Sequence, residues 1–391
     1  MLEVAHASAR PRERAQVAPL AFLRRLDWIL LAATLALSGY GLWVTAGITR
    51  YDVPGDEGYY VVRQGVALGV GLVALAVATV VPVGLARRFW KLLYATTLAL
   101  MLLVLVAAET IRGSKRWLDV GVVQFQPSEL GKVLLVLALA GFLVNRGADV
   151  TRWRTLLGAL ALAAAPTLLV FLQPDLGTAL VYVVAFGAVL FFVGVRWRQL
   201  LALAALALLT CVAVLWILPG VGIQVLKPYQ AARLTLDPRA DPTGVTYNLN
   251  QSITAVGSGG LTGRGVLGAT QTRLDYLPEH ATDFAFASLA EQRGFVGCSI
   301  LLLLYLLVVW RGIRVIAVAS DLYGAVVAGG LVVAFLFQVF VNVGMTMGLA
   351  PVTGIPLPFV SVGGTALVTS LLLVGILESI HARGRTEVPA P

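Results

Sequence analysis

The chain has 391 residues, a mean hydropathy of +0.87 and only 13% charged residues, where a soluble domain carries roughly 25%. That excludes an ordinary soluble enzyme and predicts an all-α polytopic integral membrane protein. The formal charge of +9 has meaning through its placement, and no nucleic-acid partner is expected from it.

Residues 1–26 form a basic arm with Arg10, Arg12, Arg14, Arg24 and Arg25, expected to be disordered and cytoplasmic. The first apolar run starts near Trp28, has full membrane length and lacks a small-residue cleavage site, so it is expected as a retained span. A span needs about 20 mostly apolar residues. Ten candidates follow in a membrane domain over 27–382: 28–48, 60–82, 89–109, 128–144, 156–172, 176–195, 199–219, 294–310, 322–349 and 359–380. A short tail occupies 383–391. Cys211 and Cys298 lie inside these runs and read as small buried hydrophobes, with neither disulfide nor metal spacing.

With the N-terminus inside, the inner segments hold 17 of the 29 basic residues, among them Arg87, Arg88, Lys91, Arg146, Arg152, Arg154, Arg196, Arg198, Arg311, Arg314, Arg383 and Arg385. The first outer connection, RYDVPGDEGYY, is net acidic. This is the positive-inside pattern, and ten spans place both termini in the cytoplasm. The remaining basic residues concentrate in two outer segments, Thr110–Lys132 and the connection over 220–283 between spans seven and eight. The latter is far beyond ordinary loop length and is expected to be functional. Its KPYQAARLTLDP stretch is expected to lie on the membrane surface as an amphipathic helix.

Ionisable residues at membrane depth are functional candidates by default. In KRWLDVGVVQFQPSELGK, Pro127 suits the first position of a helix, and Glu129 and Lys132 then share one face. Lys132 is one of only four lysines, about a turn inside an apolar span. With Lys115 and Arg116 nearby, this helix start suits a phosphate or pyrophosphate. The competing reading is a simple intrahelical ion pair. In QPDLGTAL, Gln173 and Asp175 lie in a tight turn, where Asp175 reads first as a helix N-cap. GSGGLTGRGVLG contains a formal GxGxxG, but no strand-to-helix context or GK[ST] accompanies it, so tight turns and close packing are expected and no nucleotide. Asp283 follows the long connection. It reads either as a local helix cap or as a carboxylate facing the same compartment as Glu129 and Lys132, the arrangement that glycosyl transfer from a lipid-linked sugar would need. GMTMGLAPVTGIPLPFVSVGG, with three prolines, suggests either an outward-facing pocket or a rigid turn.

These segments together resemble the SEDS family (shape, elongation, division and sporulation proteins). The motifs are KRWLDVGVVQFQPSELGK, QPDLGTALV, YNLNQSITAVGSGGLTGRG, TQTRLDYLPEHATDF and GLAPVTGIPLPFVSVGG, in family order. Two of them are more similar to the elongation member RodA than to the division member FtsW. The resemblance implies a ten-span glycosyltransferase that polymerises peptidoglycan from lipid II on the outer leaflet of the bacterial cytoplasmic membrane and releases undecaprenyl pyrophosphate. Asp283 falls on the family's essential aspartate, Glu129 and Lys132 on its membrane-embedded pair, and Arg116 on its RW arginine. Gln126, Ser128, Gln173, Asp175 and Ser361 fall in the same motifs as supporting residues. A divalent cation, magnesium or manganese, is implied, with Asp283 and Glu129 as candidate ligands. A class B penicillin-binding protein is the implied partner, with other membrane proteins of the elongation machinery. His280 stands one place early relative to the family pattern, with Ala281 in its usual position, and Val362 replaces a usual tyrosine. The rival readings are a lipid II flippase and a non-catalytic scaffold for the transpeptidase.

Overall fold

A computed structural model describes residues 22–107, 116–120, 123–223 and 244–384. Among them are ten helices long and apolar enough to cross a membrane: Trp28–Ile48, Tyr59–Val80, Trp90–Ala107, Pro127–Val144, Trp153–Leu172, Leu176–Val193, Trp197–Gly220, Ala285–Val318, Leu322–Thr346 and Gly364–Gly384. We number them as the first to tenth spans.

Several starts are encoded locally. Asp27, Asp175 and Asp321 cap the first, sixth and ninth spans, accepting from Leu30 N at 3.2 Å, Thr178 N at 3.1 Å and Gly324 N at 2.9 Å. Each carboxylate satisfies an amide that the helix itself leaves unpaired. Pro127 opens the fourth span, where its missing N–H costs nothing.

The fourth and tenth spans form the centre, each with 89% of its apolar window buried, whereas the window of the seventh has none. The tenth runs along the second, the ninth along the sixth and the fourth along the third. Lipid provides no hydrophobic drive between helices, so small residues set their approach. At Gly375 of the tenth span, an added Cβ would lie 2.4 Å from the Leu75 carbonyl oxygen of the second.

The helix before and through the eighth span differs from expectation. It begins at Ala285 and breaks at Gly294, whose φ of 64° is open to glycine. The expected span begins at that break and continues to Val318, so Arg311 and Arg314 belong to a helix and not to a loop. Arg311 is buried, and its Nε donates to Asp27 Oδ2 at 2.8 Å. Glu378 Oε2 accepts from Asp27 N at 2.9 Å. The first, eighth and tenth spans are therefore joined by buried charges at the end opposite the long connection. The tenth span starts at Gly364 instead of 359 because Ser361 Oγ accepts from Leu357 N at 2.9 Å and holds that stretch as a turn. Cys298 is buried as expected, but Cys211 is exposed on the outward-facing seventh span.

Two short strands, β1 (Leu118–Val120) and β2 (Val123–Phe125), pair antiparallel, with Leu118 opposite Phe125. This hairpin is not foreseen by the hydropathy pattern, and it delivers Gln126 to the start of the fourth span. In the long connection, helix Val245–Gly259 is followed by short helices Gly265–Gly268 and Thr270–Arg273. Its glycines allow close backbone contact: a Cβ on Gly263, at φ 82°, would lie 2.3 Å from Gln292 O, and one on Gly294 would lie 2.4 Å from Gly263 N. Buried Glu291 accepts from Gln271 N at 2.8 Å and from Thr272 N at 2.9 Å, fixing the last short helix. The KPYQAARLTLDP stretch and Lys115 lie outside the described residues.

Candidate active site

The site is built on the start of the fourth span. Gln126, the residue before Pro127, accepts no cap role from its side chain but is held by its backbone: its N–H donates to Thr365 Oγ1 of the tenth span at 3.0 Å, and Thr365 Oγ1 donates to Gln124 O at 2.8 Å. Its side-chain amide donates to Asp175 Oδ2 at 3.1 Å. The Ser128 carbonyl accepts from Tyr182 OH of the sixth span at 2.9 Å. The tenth span and the capped start of the sixth thus fix the helix start.

Asp175 is the centre of the first cluster. Besides capping the sixth span, it takes the Thr178 hydroxyl at 2.9 Å and lies 3.9 Å from Arg116 Nη1. Arg116 also donates from Nε to Gln173 O at 3.2 Å and from Nη2 to Pro174 O. The Gln173 side chain donates to Met101 O at 2.9 Å. Asp175 is therefore the structural cap the sequence suggested, and also the anchor of Arg116. The Arg116 side chain remains 17% exposed, enough for a ligand to reach it.

One turn into the fourth span, Lys132 Nζ donates to Glu129 Oε2 at 2.7 Å and to Gln338 Oε1 of the ninth span at 2.9 Å. Both charged side chains are almost fully buried. Such a pair resists separation, because removing one charge leaves the other stranded. Glu129 Oε1 is buried with no hydrogen-bond partner among the described residues.

The Asp283 segment is held through its backbone. The carbonyl of Ala281 accepts from Val362 N at 2.9 Å, that of Thr282 from Ser361 Oγ at 2.5 Å, and that of Asp283 from Asn342 Nδ2 at 2.9 Å. Asn342 also donates to Ile355 O at 2.8 Å. The stretch before the tenth span is thus a clamp for the long connection, and Ser361 is one of its jaws. The Asp283 side chain is partly exposed.

Gln338 and Asn342 are the residues that sequence reasoning missed. They lie one turn apart on the ninth span, one receiving Lys132 and the other holding Asp283. The available signal was a pair of amides at i and i+4 within an apolar run. Lys115 cannot be placed among these groups because it lies outside the described residues.

A divalent cation can be tested against the oxygens present. No three His, Cys, Asp or Glu side chains gather as a metal cluster among the described residues. Glu129 Oε1 and Asn342 Oδ1, however, are both buried oxygens without partners there. The Glu129 carboxylate is a donor of the type magnesium takes, with water and substrate phosphates completing the shell.

Residues 24–386 match the family of cell cycle proteins comprising FtsW, RodA and SpoVE. Peptidoglycan glycosyltransferase MrdB of Escherichia coli K12 is 38% identical over 357 residues, covering 91% of this chain and 94% of that protein. Among solved structures, one described as coordinating polymerization and crosslinking in a peptidoglycan synthase complex superposes with a TM-score of 0.77 at 32% identity, covering 93% of this chain and 99% of that one. Rod shape determining protein RodA of Thermus thermophilus superposes with a TM-score of 0.66 at 31% identity, covering 91% and 96%. The ten-span bundle and the five ordered motifs therefore have one source: the chain belongs to the FtsW/RodA/SpoVE family of cell cycle proteins.

Proposed function

We propose that the protein is a peptidoglycan glycosyltransferase that polymerises lipid II on the outer leaflet, in the elongation branch of its family. The observation that carries this reading is the amide pair Gln338 and Asn342, which seats a buried cation and a carboxylate-bearing segment one helical turn apart. The names of its relatives support it.

In the proposed reaction, Asp283 is the general base. It takes the proton of the 4-hydroxyl of the acceptor GlcNAc of lipid II. That oxygen forms a bond to the anomeric carbon of the donor MurNAc at the end of the growing strand. The bond from that carbon to the pyrophosphate oxygen breaks, and undecaprenyl pyrophosphate leaves with the electron pair. The new β-1,4 linkage is inverted relative to the α-linked donor. Arg116 and Lys132 stabilise the departing phosphates. Glu129 orients Lys132. A bound magnesium or manganese ion would neutralise further charge on the leaving group, with Asp283 and Glu129 as its protein ligands.

The positive-inside distribution of the basic residues supports an outer position for the long connection and cytoplasmic termini. The cytoplasmic membrane is the setting that follows. A class B penicillin-binding protein is the proposed partner, supported by the likeness to a polymerization and crosslinking complex. Sidedness argues against a flippase less simply than the sequence suggests, because Asp27, Arg311 and Glu378 form a second charged cluster at the opposite face. Those side chains are buried; Arg311 pairs with Asp27, and Glu378 accepts from the Asp27 backbone N–H, so the cluster reads as a join between spans.

The test is glycan polymerisation from purified lipid II by the detergent-solubilised protein with its transpeptidase partner and a divalent cation. Long strands from the wild type and none from Asp283→Ala are expected. Strands from both would remove Asp283 from the centre. Strands from neither, beside an active control polymerase, would favour a flippase.

A further inference from the structure

We propose that His280 is a positioning residue that fastens the Asp283 segment to the first outer connection, and that it does so as an imidazolium. The positioning role rests on the reading of Asp283 as the base; the charge state rests on local geometry alone.

His280 is buried, three residues before Asp283. Its Nε2 lies 3.0 Å from Asp52 Oδ1, in the connection between the first and second spans. Its Nδ1 lies 3.2 Å from the Leu277 carbonyl oxygen and 3.6 Å from Asp275 Oδ1. Every one of these neighbours is an acceptor. A neutral imidazole has one donor nitrogen and one acceptor nitrogen, so it would turn a lone pair toward an oxygen on one side. Only the doubly protonated ring donates on both.

The charged groups facing the ring are Asp52, from the first connection, and Asp275, from its own loop; both are carboxylates. Burial is the largest single influence and lowers the pKa. The hydrogen bond and charge of Asp52, the charge of Asp275 and the bond to Leu277 together outweigh it and raise the pKa above the ordinary histidine value.

The position explains why such a fastening is needed. Asp275 and Glu279 both take positive φ, 55° and 56°, a conformation that costs a residue with a side chain. From the membrane side, carbonyls 281 to 283 are gripped by Val362, Ser361 and Asn342. The His280 carbonyl accepts from Ser288 Oγ at 3.2 Å. The His280 ring adds the only described side-chain link from this stretch to the first connection, and it holds the segment from the opposite side.

The sign of the pH effect follows from the raised pKa. The fastening is fully present below the unfolded-state pKa of histidine and is lost as pH rises through the higher folded-state value. Polymerisation should therefore show an alkaline descending limb that belongs to His280.

Two measurements test this. The chain has three histidines, His6, His280 and His381, so isotope-labelled histidine gives a resolvable titration by NMR, with His280→Gln assigning its signal. Both ring nitrogens of His280 should be protonated at pH 7, and Asp52→Asn should lower its midpoint. A neutral ring at pH 7, or no response to Asp52→Asn, would overturn the charge state without any use of turnover. The second measurement is the pH profile of polymerisation with the transpeptidase partner. The descending limb should move to lower pH in Asp52→Asn and vanish in His280→Gln, with kcat several-fold reduced and KM little changed. A His280→Gln protein that melts like the wild type and keeps both its limb and its kcat would overturn the positioning role. Loss of activity in the wild type itself would count against the polymerase reading, and the titration would still stand.

Discussion

Gln338 and Asn342 stand one helical turn apart on the ninth span, and each receives a different half of the candidate active site. Gln338 accepts from Lys132 Nζ at 2.9 Å, and Asn342 donates to the Asp283 carbonyl at the same distance. Residues on one helix face at this spacing lie about 5–6 Å apart. A single rigid element thus sets the separation between a proposed leaving-group cation and a proposed base.

Asn342→Leu should uncouple them. It leaves the part-buried Asp283 carbonyl and the buried Ile355 carbonyl without their donor, at a cost of about 1–3 kcal/mol for a fully buried group. Since about 1.4 kcal/mol of lost transition-state stabilisation is tenfold in rate, polymerisation should fall at least tenfold, read from single-turnover assays with purified lipid II. An unchanged rate in a properly folded variant would show that the amide is not a positioning group.

Asp283→Asn should lose activity by ~10²–10⁴-fold, the usual worth of a general base. Expression and melting temperature should stay close to those of the wild type, because the bonds that clamp residues 281–283 are made to carbonyls that the substitution leaves intact.

The Glu129 and Lys132 pair separates stability from chemistry. Lys132→Met strands a buried carboxylate, and breaking such a pair costs about 3–5 kcal/mol. The double variant Glu129→Gln with Lys132→Met should regain most of that stability in thermal unfolding but none of the polymerisation. Recovery of both would reduce the pair to a structural ion pair.

At the opposite face, Arg311→Met leaves Asp27 and Glu378 together without their cation. The protein should unfold at a markedly lower temperature, while polymerisation per folded molecule stays near the wild-type rate. A selective loss of rate at unchanged stability would make this cluster functional.

Chelation should abolish polymerisation, and magnesium or manganese should restore it. Glu129→Gln, which removes the unpartnered anionic oxygen, should raise the cation concentration needed for half-maximal rate. A rate insensitive to chelation would remove the ion from the mechanism.

Much of this architecture follows from local chemistry. Runs of apolar residues long enough to cross a bilayer mark the ten spans, because a helix pairs its own backbone in lipid and needs about 20 apolar residues to cross it. Asp175 announces a helix start, and Pro127 does the same for the fourth span. The five ordered motifs single out Asp283, Glu129, Lys132 and Arg116. What remained hidden has a common cause. Gln338 is 206 positions from Lys132, and Asn342 is 59 from Asp283; an amide in an apolar run carries no mark of its partner. Arg311 reads as a loop cation until the eighth span is seen to run to Val318 and its guanidinium to meet Asp27. His280 looks displaced until Asp52 is found across from it. The sequence by itself determined the ten apolar runs, the Asp175 cap and the chemistry-bearing residue types, since hydropathy and capping act over a few residues. Only the tertiary structure decided which polar groups meet, because a buried donor must find an acceptor wherever the order of the helices places one.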